Sequence, residues 1–303
     1  MLDYLPGETA MGMKKLAAMA LGLMSLSLPQ APAWAADITF AVIGPREYEL
    51  PVNYKDFFAF VQYGQFNSSS QYFDARGNLT SQPRQDLGVG LSKFVYFTSL
   101  DSLPGVGIAL EAILPEVYLN VRGSGDQGGF GDTIWGAAVW IKPTENSTLG
   151  FQSFLQAPIG TPNFTNNYYA NYSSVFLDIQ SEHFSFTSDY GGIFRGEQAT
   201  PGQPRVNPGM TFHTNLRLGY KLNEPKFPVE PFLALDYQYN TASDLALSHL
   251  IIPNSHGQDL ALGGGLAWFY DPKQSITVRY SRSVYGVNMT PTNAVYLKYV
   301  FIP

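Results

Sequence analysis

The residues with the clearest potential for chemistry are His183 and Ser185, which are separated by one position. Because side chains at i and i+2 share one face of a strand, a histidine base could lie beside a serine nucleophile there. Residues 213–215 offer only a threonine as nucleophile, and His249 and His256 lie in a predicted loop. The chain has no cysteine, which excludes a catalytic thiol and a cysteine-ligated zinc site. We therefore interpret His183 as a turn residue and predict no catalytic residue, no metal site and no cofactor.

A second candidate for chemistry is the Gly- and Asp-rich run GSGDQGGFGD at residues 123–132. It lacks the Lys-Ser/Thr pair that a phosphate-binding loop requires. Its aspartates could bind calcium weakly, because carboxylates are the oxygen ligands that this cation prefers. The run is more typical of an external hairpin loop, and this is the structure that we predict for it.

The composition is typical of a membrane β-barrel. Charged residues make up 14% of the chain and aromatic residues 15%, with 29 glycines, whereas about a quarter of the residues in soluble domains are charged. After the N-terminal signal-like segment, no apolar stretch approaches the length of roughly 20 residues that a spanning helix needs. The formal net charge of −6 argues against nucleic acid as a partner. A barrel that is apolar outside and polar inside fits all these features.

Alternating segments of about ten residues recur along the chain. From 233 to 240, apolar and aromatic side chains occupy the odd positions, and polar or small ones occupy the even positions. This period of two is the signature of a strand with one apolar face. Counting such segments predicts an all-β fold, an antiparallel transmembrane barrel of about twelve strands. The predicted strands are 57–66, 86–97, 106–120, 132–142, 148–158, 172–182, 184–195, 209–221, 229–240, 258–270, 274–285 and 293–302.

The predicted connections alternate between short and long. The short ones, such as 143–147 and 271–273, would be periplasmic turns, and the long ones, such as 67–85 and 241–257, would be external loops. A soluble β-sandwich is the alternative, but its strands average about five or six residues. Aromatic residues near strand ends also fit an interfacial girdle. The residues assigned to it are Tyr270, Tyr280, Tyr285, Tyr296, Tyr299 and Phe301.

The N-terminus carries an export signal. Lys14 and Lys15 precede an apolar stretch at 16–28, and the sequence Ala-Trp-Ala at 33–35 has the form of a cleavage site. We predict that residues 1–35, with an over-long start, are removed by cleavage after Ala35, and that the barrel comprises 57–303. Residues 36–56 contain two prolines and cannot form a long regular element. This segment either plugs the lumen or forms a periplasmic tail.

The alternation also predicts which side chains line the lumen. Their charges are mixed in sign, which does not indicate strong ion selectivity. Four aromatic residues predicted to face inward, Phe154, Phe232, Phe269 and Tyr296, would either line a path for hydrophobic solutes or simply fill space. The predicted lumen-lining residues are Glu111, Phe154, Asp178, Asp189, Arg217, Glu230, Phe232, Asp236, Arg279 and Lys298.

Residues 129–140 and 149–160 resemble a family of phenol-degradation meta-pathway transporters of the outer membrane. The first stretch has Gly-Phe-Gly-Asp before an alternating strand, and the second is a strand that ends in Pro-Ile-Gly before a long loop. The His-x-Ser sequence at 183–185 also resembles that of outer-membrane phospholipases, but theirs continues with Asn-Gly. The first resemblance implies a non-enzymatic barrel that takes up aromatic or other hydrophobic compounds passively.

We therefore expect a monomeric outer-membrane channel for small hydrophobic or aromatic solutes, with the lipid bilayer as its other partner. A structural or adhesive barrel with a blocked lumen is the first alternative. A lipid hydrolase built on His183 and Ser185 is the second.

Overall fold

The computed structural model describes residues 42–222 and 228–303, and the regular structure in this part of the chain is β-strand. The predicted signal peptide, its cleavage after Ala35 and residues 36–41 lie outside the described residues. Within the described ranges, no helix is long and apolar enough to span a membrane. The strands are β1 (Phe57–Phe73), β2 (Leu79–Thr98), β3 (Val106–Val121), β4 (Gly125–Phe130), β5 (Ile134–Thr144), β6 (Ser147–Gln156), β7 (Ala170–Gln180), β8 (Phe184–Arg195), β9 (Val206–Asn207), β10 (Thr211–Tyr220), β11 (Val229–Asn240), β12 (Asp244–Leu245), β13 (Gly257–Asp271), β14 (Gln274–Val287) and β15 (Asn293–Phe301).

Twelve of these strands close into an antiparallel barrel, which confirms the predicted fold class. Each wall strand pairs with its neighbours along the chain, and β1 closes the ring by pairing with β15 from Phe60↔Phe301 to Asn67↔Ala294. Closure gives each of the twelve wall strands a partner on both sides, as a barrel in lipid requires because no water is available there for backbone groups. The short strand β4 is an additional element that pairs with the far half of β3. Strands β9 and β12 form a separate two-stranded ladder.

The alternation along each strand places polar side chains inside and apolar ones outside. On β10, Asn215 and Arg217 are 1% and 0% exposed, whereas Phe212 and Leu218 on the opposite face are 44% and 49% exposed. A soluble protein would bury the second pair. This inverted arrangement is the one expected of a wall with lipid outside and a polar lumen inside.

The connections divide the barrel into two ends. At the turn side, β1 begins, β15 ends and the links are short, such as 145–146 and 272–273. At the loop side, the links are longer, such as 157–169 and 241–256.

Two strands at the loop side are longer than predicted. Residues 67–73 and 79–85, which the sequence assigned to a long loop, extend β1 and β2 into a projecting hairpin. The Gly-rich run likewise contributes β4 instead of only a loop. These extensions carry polar side chains on both faces, so they lack the alternation on which the prediction depended.

Candidate functional site: the barrel lumen

The residues that were predicted to line the lumen lie at inward-facing positions of the wall. Nine of them are buried, and the Asp236 side chain is 19% exposed. They are Glu111 on β3, Phe154 on β6, Asp178 on β7, Asp189 on β8, Arg217 on β10, Glu230, Phe232 and Asp236 on β11, Arg279 on β14 and Lys298 on β15.

Three of these residues form one charged cluster. Arg217 Nη2 lies 2.7 Å from Asp236 Oδ1, and Arg279 Nη1 lies 2.8 Å from Asp236 Oδ2. Asn215 Nδ2 donates a further hydrogen bond of 2.6 Å to Asp236 Oδ1. Because both guanidinium groups are fully buried, this carboxylate is their essential counter-charge.

The cluster continues onto β15 through Tyr296. The guanidinium carbon of Arg279 lies 4.0 Å from the centre of the Tyr296 ring, a cation–π contact. Tyr296 is 4% exposed, so its assignment to the interfacial girdle is wrong, and it lies on the inward face that the alternation also predicted for it. Tyr296 lies two positions from both Ala294 and Lys298, which are buried on the inward face, so the alternation along β15 places it on that face too.

The N-terminal segment, residues 42–56, lies against the inward-facing side chains. Arg217 Nε donates a 3.2 Å hydrogen bond to the carbonyl of Ile43, and its Nη2 contacts the Val42 carbonyl. Glu47 accepts hydrogen bonds of 2.7 Å from Lys298 Nζ and 2.8 Å from Tyr63 Oη. Strands on opposite parts of the wall therefore hold the same segment.

Tyr48 anchors the middle of this segment. Its hydroxyl donates to Asp189 Oδ2 at 3.1 Å, and Gln152 Nε2 donates to Tyr48 Oη at 3.1 Å. Its ring stacks on Phe176 with 4.1 Å between centroids. Burial, together with the nearby Asp189 charge, raises the pKa of the Tyr48 phenol well above its ordinary value. The phenol is therefore a neutral donor at physiological pH.

The last part of the segment is fixed near the turn side. Trp140 Nε1 donates a 2.7 Å hydrogen bond to the Pro51 carbonyl. Tyr54 Oη donates to the Thr98 carbonyl at 2.7 Å and accepts from the Ile108 amide at 3.1 Å, at the ends of β2 and β3. The segment thus runs inward from the turn side and occupies the turn-side half of the lumen.

The loop-side half has a different lining. An apolar cluster collects inward side chains from several wall strands, with aromatic rings from β6 and β7, and Ile43 of the N-terminal segment packs into it. Of these residues the sequence predicted Phe154 and Tyr296. Extending the alternation from Asp178 along β7 would have found Tyr172, and extending it from Glu111 along β3 would have found Ile113. The buried members include Leu91, Ile113, Ile134, Phe154, Tyr172 and Ile193.

The remaining charged positions are paired within the wall. Lys93 Nζ lies 2.5 Å from Glu111 Oε2, and Thr187 Oγ1 donates to Asp178 Oδ2 at 2.6 Å. Ser185 is buried and its hydroxyl contacts a Glu230 carboxylate oxygen. The His183 side chain is 52% exposed. The serine thus has a carboxylate partner, and the histidine lies at the surface in a turn.

Comparisons with known proteins agree with the barrel. The chain is similar to an outer membrane channel from Pseudomonas putida F1, with 16% identity, 84% of this chain and 97% of that chain covered, and a TM-score of 0.73. It is also similar to the β domain of the Bordetella autotransporter BrkA, with 11% identity, 82% and 100% coverage and a TM-score of 0.52. At these identities, the structures establish a shared fold.

The sequence matches no curated protein. The model of the family described as "Putative MetA-pathway of phenol degradation" matches residues 68–299, which include both stretches that carried the resemblance. Because this match spans nearly all of the barrel, the chain belongs to that phenol-degradation family.

Proposed function

We propose that the protein is an outer-membrane channel for the passive uptake of small hydrophobic or aromatic compounds. The observation that carries this proposal is the apolar cluster inside the loop-side half of the lumen. A polar solute would lose hydrogen bonds in such a lining, whereas an apolar one would lose none. The description of the family, which refers to phenol degradation, supports the same class of solute.

We further propose that the N-terminal segment controls the passage of solutes. Residues 42–56 fill the turn-side half, so we expect passage to require that this segment moves aside. Its anchors are hydrogen bonds, the Glu47–Lys298 ion pair and the apolar packing of Ile43 and Tyr48, so its displacement breaks polar and apolar contacts together. The proposal also includes cleavage after Ala35, insertion in the outer membrane with the loop side outside, and a monomeric state. It involves no enzymatic step.

The test is a polar substitution in the apolar cluster. Phe154→Gln should lower the entry of an aromatic or long-chain fatty solute into proteoliposomes about fivefold. The reason is that an apolar solute cannot hydrogen-bond to the new amide, which costs about 1 kcal/mol. Entry is measured above protein-free liposomes, because phenolic compounds cross lipid unaided. Phe151→Leu is the control, since Phe151 faces outward on the same strand. Equal entry for both variants, with both barrels folded, would remove the apolar cluster from the pathway.

A further inference from the structure

Three polar side chains lie on the outer, lipid-facing side of the barrel wall. Glu116 on β3 shares the parity of Leu110 and Tyr118, which are 51% and 43% exposed. Gln62 on β1 and Ser92 on β2 lie on the same face, because Val61 and Leu91 beside them are buried inside. A carboxylate among lipid-facing side chains is costly, so it indicates a functional site.

The hydrogen-bond donors of this cluster are too few for its acceptors. Ser92 Oγ lies 2.6 Å from Glu116 Oε1 and 2.8 Å from Gln62 Oε1. A hydroxyl has one proton, so it can donate to only one of these acceptors. The Gln62 amide donates elsewhere, to the Tyr63 carbonyl at 3.1 Å. Glu116 Oε2 is buried against Gly90 and has no hydrogen-bond partner. The cluster therefore has more hydrogen-bond acceptors than donors.

A groove of about 450 Å³ lies next to Glu116 on this face of the wall. Its floor is bare backbone, because three outward positions on β1 and β2 are glycines. The Glu116 carboxylate occupies the space that a side chain at Gly90 would fill. Its rim is apolar and aromatic. The floor residues are Gly64, Gly88 and Gly90, and the rim residues are Phe66, Tyr118, Val295 and Leu297.

We propose that this groove binds a small, neutral aromatic molecule that carries a hydroxyl group, a phenol-type solute dissolved in the bilayer. The flat ring would lie over Gly64 and Gly88 between Tyr118 and Leu297, and its hydroxyl would donate to the Glu116 carboxylate after this turns away from Gly90. A neutral donor satisfies the surplus acceptor, whereas the carboxylate of a fatty acid would be repelled by it. The inference rests on the proposed function, because the ligand is taken from the same class of solute.

The test compares 4-fluorophenol with fluorobenzene by ¹⁹F NMR on the full barrel in phosphatidylcholine nanodiscs, whose lipids carry no hydrogen-bond donor. Glu116→Gln should raise the Kd for 4-fluorophenol about five- to tenfold, the effect of losing a charged acceptor. It should leave the weaker binding of fluorobenzene unchanged. Gly64→Leu should weaken both ligands by filling the floor. It should also fold, since a Cβ there would meet only Leu297 Cβ, at 3.8 Å.

The matched control is Ser173→Ala, which alters a second outer-face cluster that is uncharged, with Ser153 Oγ and Ser173 Oγ 3.0 Å apart. This variant should bind both ligands as the unaltered protein does. Equal Kd values for 4-fluorophenol in Glu116→Gln, Gly64→Leu and the control would overturn the inference. A second test uses nanodiscs made with phosphatidylethanolamine, whose ammonium group can donate to Glu116. If 4-fluorophenol cannot displace this lipid from Glu116, the inference is also overturned.

Uptake into proteoliposomes tests the proposed function separately. Intact uptake with no Glu116-dependent binding overturns only the groove, and Glu116-dependent binding without uptake overturns only the channel.

Discussion

The ion pair between Glu47 and Lys298 should control how firmly the N-terminal segment is held. The two atoms are 2.7 Å apart, and the side chains of Lys298 and Glu47 are only 10% and 7% exposed. Glu47→Gln keeps an acceptor for Tyr63 but leaves the Lys298 ammonium group buried without a counter-charge. Removing one partner of a buried pair costs about 3–5 kcal/mol, and we take about 3 kcal/mol because some water reaches this pair. The displaced population should then rise about a hundredfold.

Limited trypsin digestion in detergent micelles measures this population. Cleavage after Arg46 requires the segment to leave the lumen, because a protease cannot enter the barrel while Arg46 packs over the Phe269 ring, at 4.4 Å. When opening is fast, the cleavage rate follows the open population. Glu47→Gln should therefore be cut at this site about a hundred times faster than the unaltered protein.

The controls separate the ion pair from a general loss of stability. Glu182→Gln, at a turn-side position whose side chain is 84% exposed, should leave the rate unchanged. The double variant Glu47→Gln with Lys298→Gln should be cut more slowly than either single variant, because neither partner is then left as a lone buried charge. If Glu47→Gln is cut no faster than Glu182→Gln, the reasoning that this pair holds the segment is refuted.

Three further predictions follow from the same geometry. Asp236→Asn should destabilise the barrel by about 3–5 kcal/mol, because it leaves two buried arginines without a counter-charge; urea unfolding would show this, and an unchanged midpoint would contradict it. Ser185→Ala should leave any lipid hydrolysis in a purified sample unchanged, and loss of that activity would restore the hydrolase alternative. The hydrogen bond from the Asn78 amide lowers the pKa of Asp74, so the protection of that amide against exchange, relative to its intrinsic rate at each pH, should be lost as pH falls through the lowered pKa. A protection factor that does not change with pH would contradict this last prediction.

The wall of the barrel was predictable because lipid imposes a strict alternation on it. The parity of 233–240 placed Asp236 inside and Leu233 outside, and the structure has both there. The same alternation also placed Tyr296 inside, where its ring packs against Arg279, so its second assignment to the girdle conflicted with the pattern. The extensions of β1 and β2 were missed, because their mostly polar residues do not alternate with apolar ones.

The contacts within the lumen could not be predicted in the same way. Asp236 meets Arg279 across β13, and this requires the register of three strands, which parity alone does not give. The anchors of the N-terminal segment join residues far apart in sequence, such as Glu47 and Lys298. Its two prolines excluded a regular element but left its position open. Glu116 is a charged residue at a position where the lipid-facing side of the strand is otherwise apolar. It could be recognised only once the outward positions of β3 were known.

The measurement that most directly tests the central claim is solute entry into proteoliposomes that contain residues 36–303. Phenol-like aromatics, a long-chain fatty acid and a sugar of similar size would be compared with protein-free liposomes. The account predicts faster entry of the aromatic or fatty solutes, with the sugar remaining at the baseline. Entry no faster than the baseline for every solute, with the barrel shown to be folded, would contradict it and favour a structural or adhesive barrel.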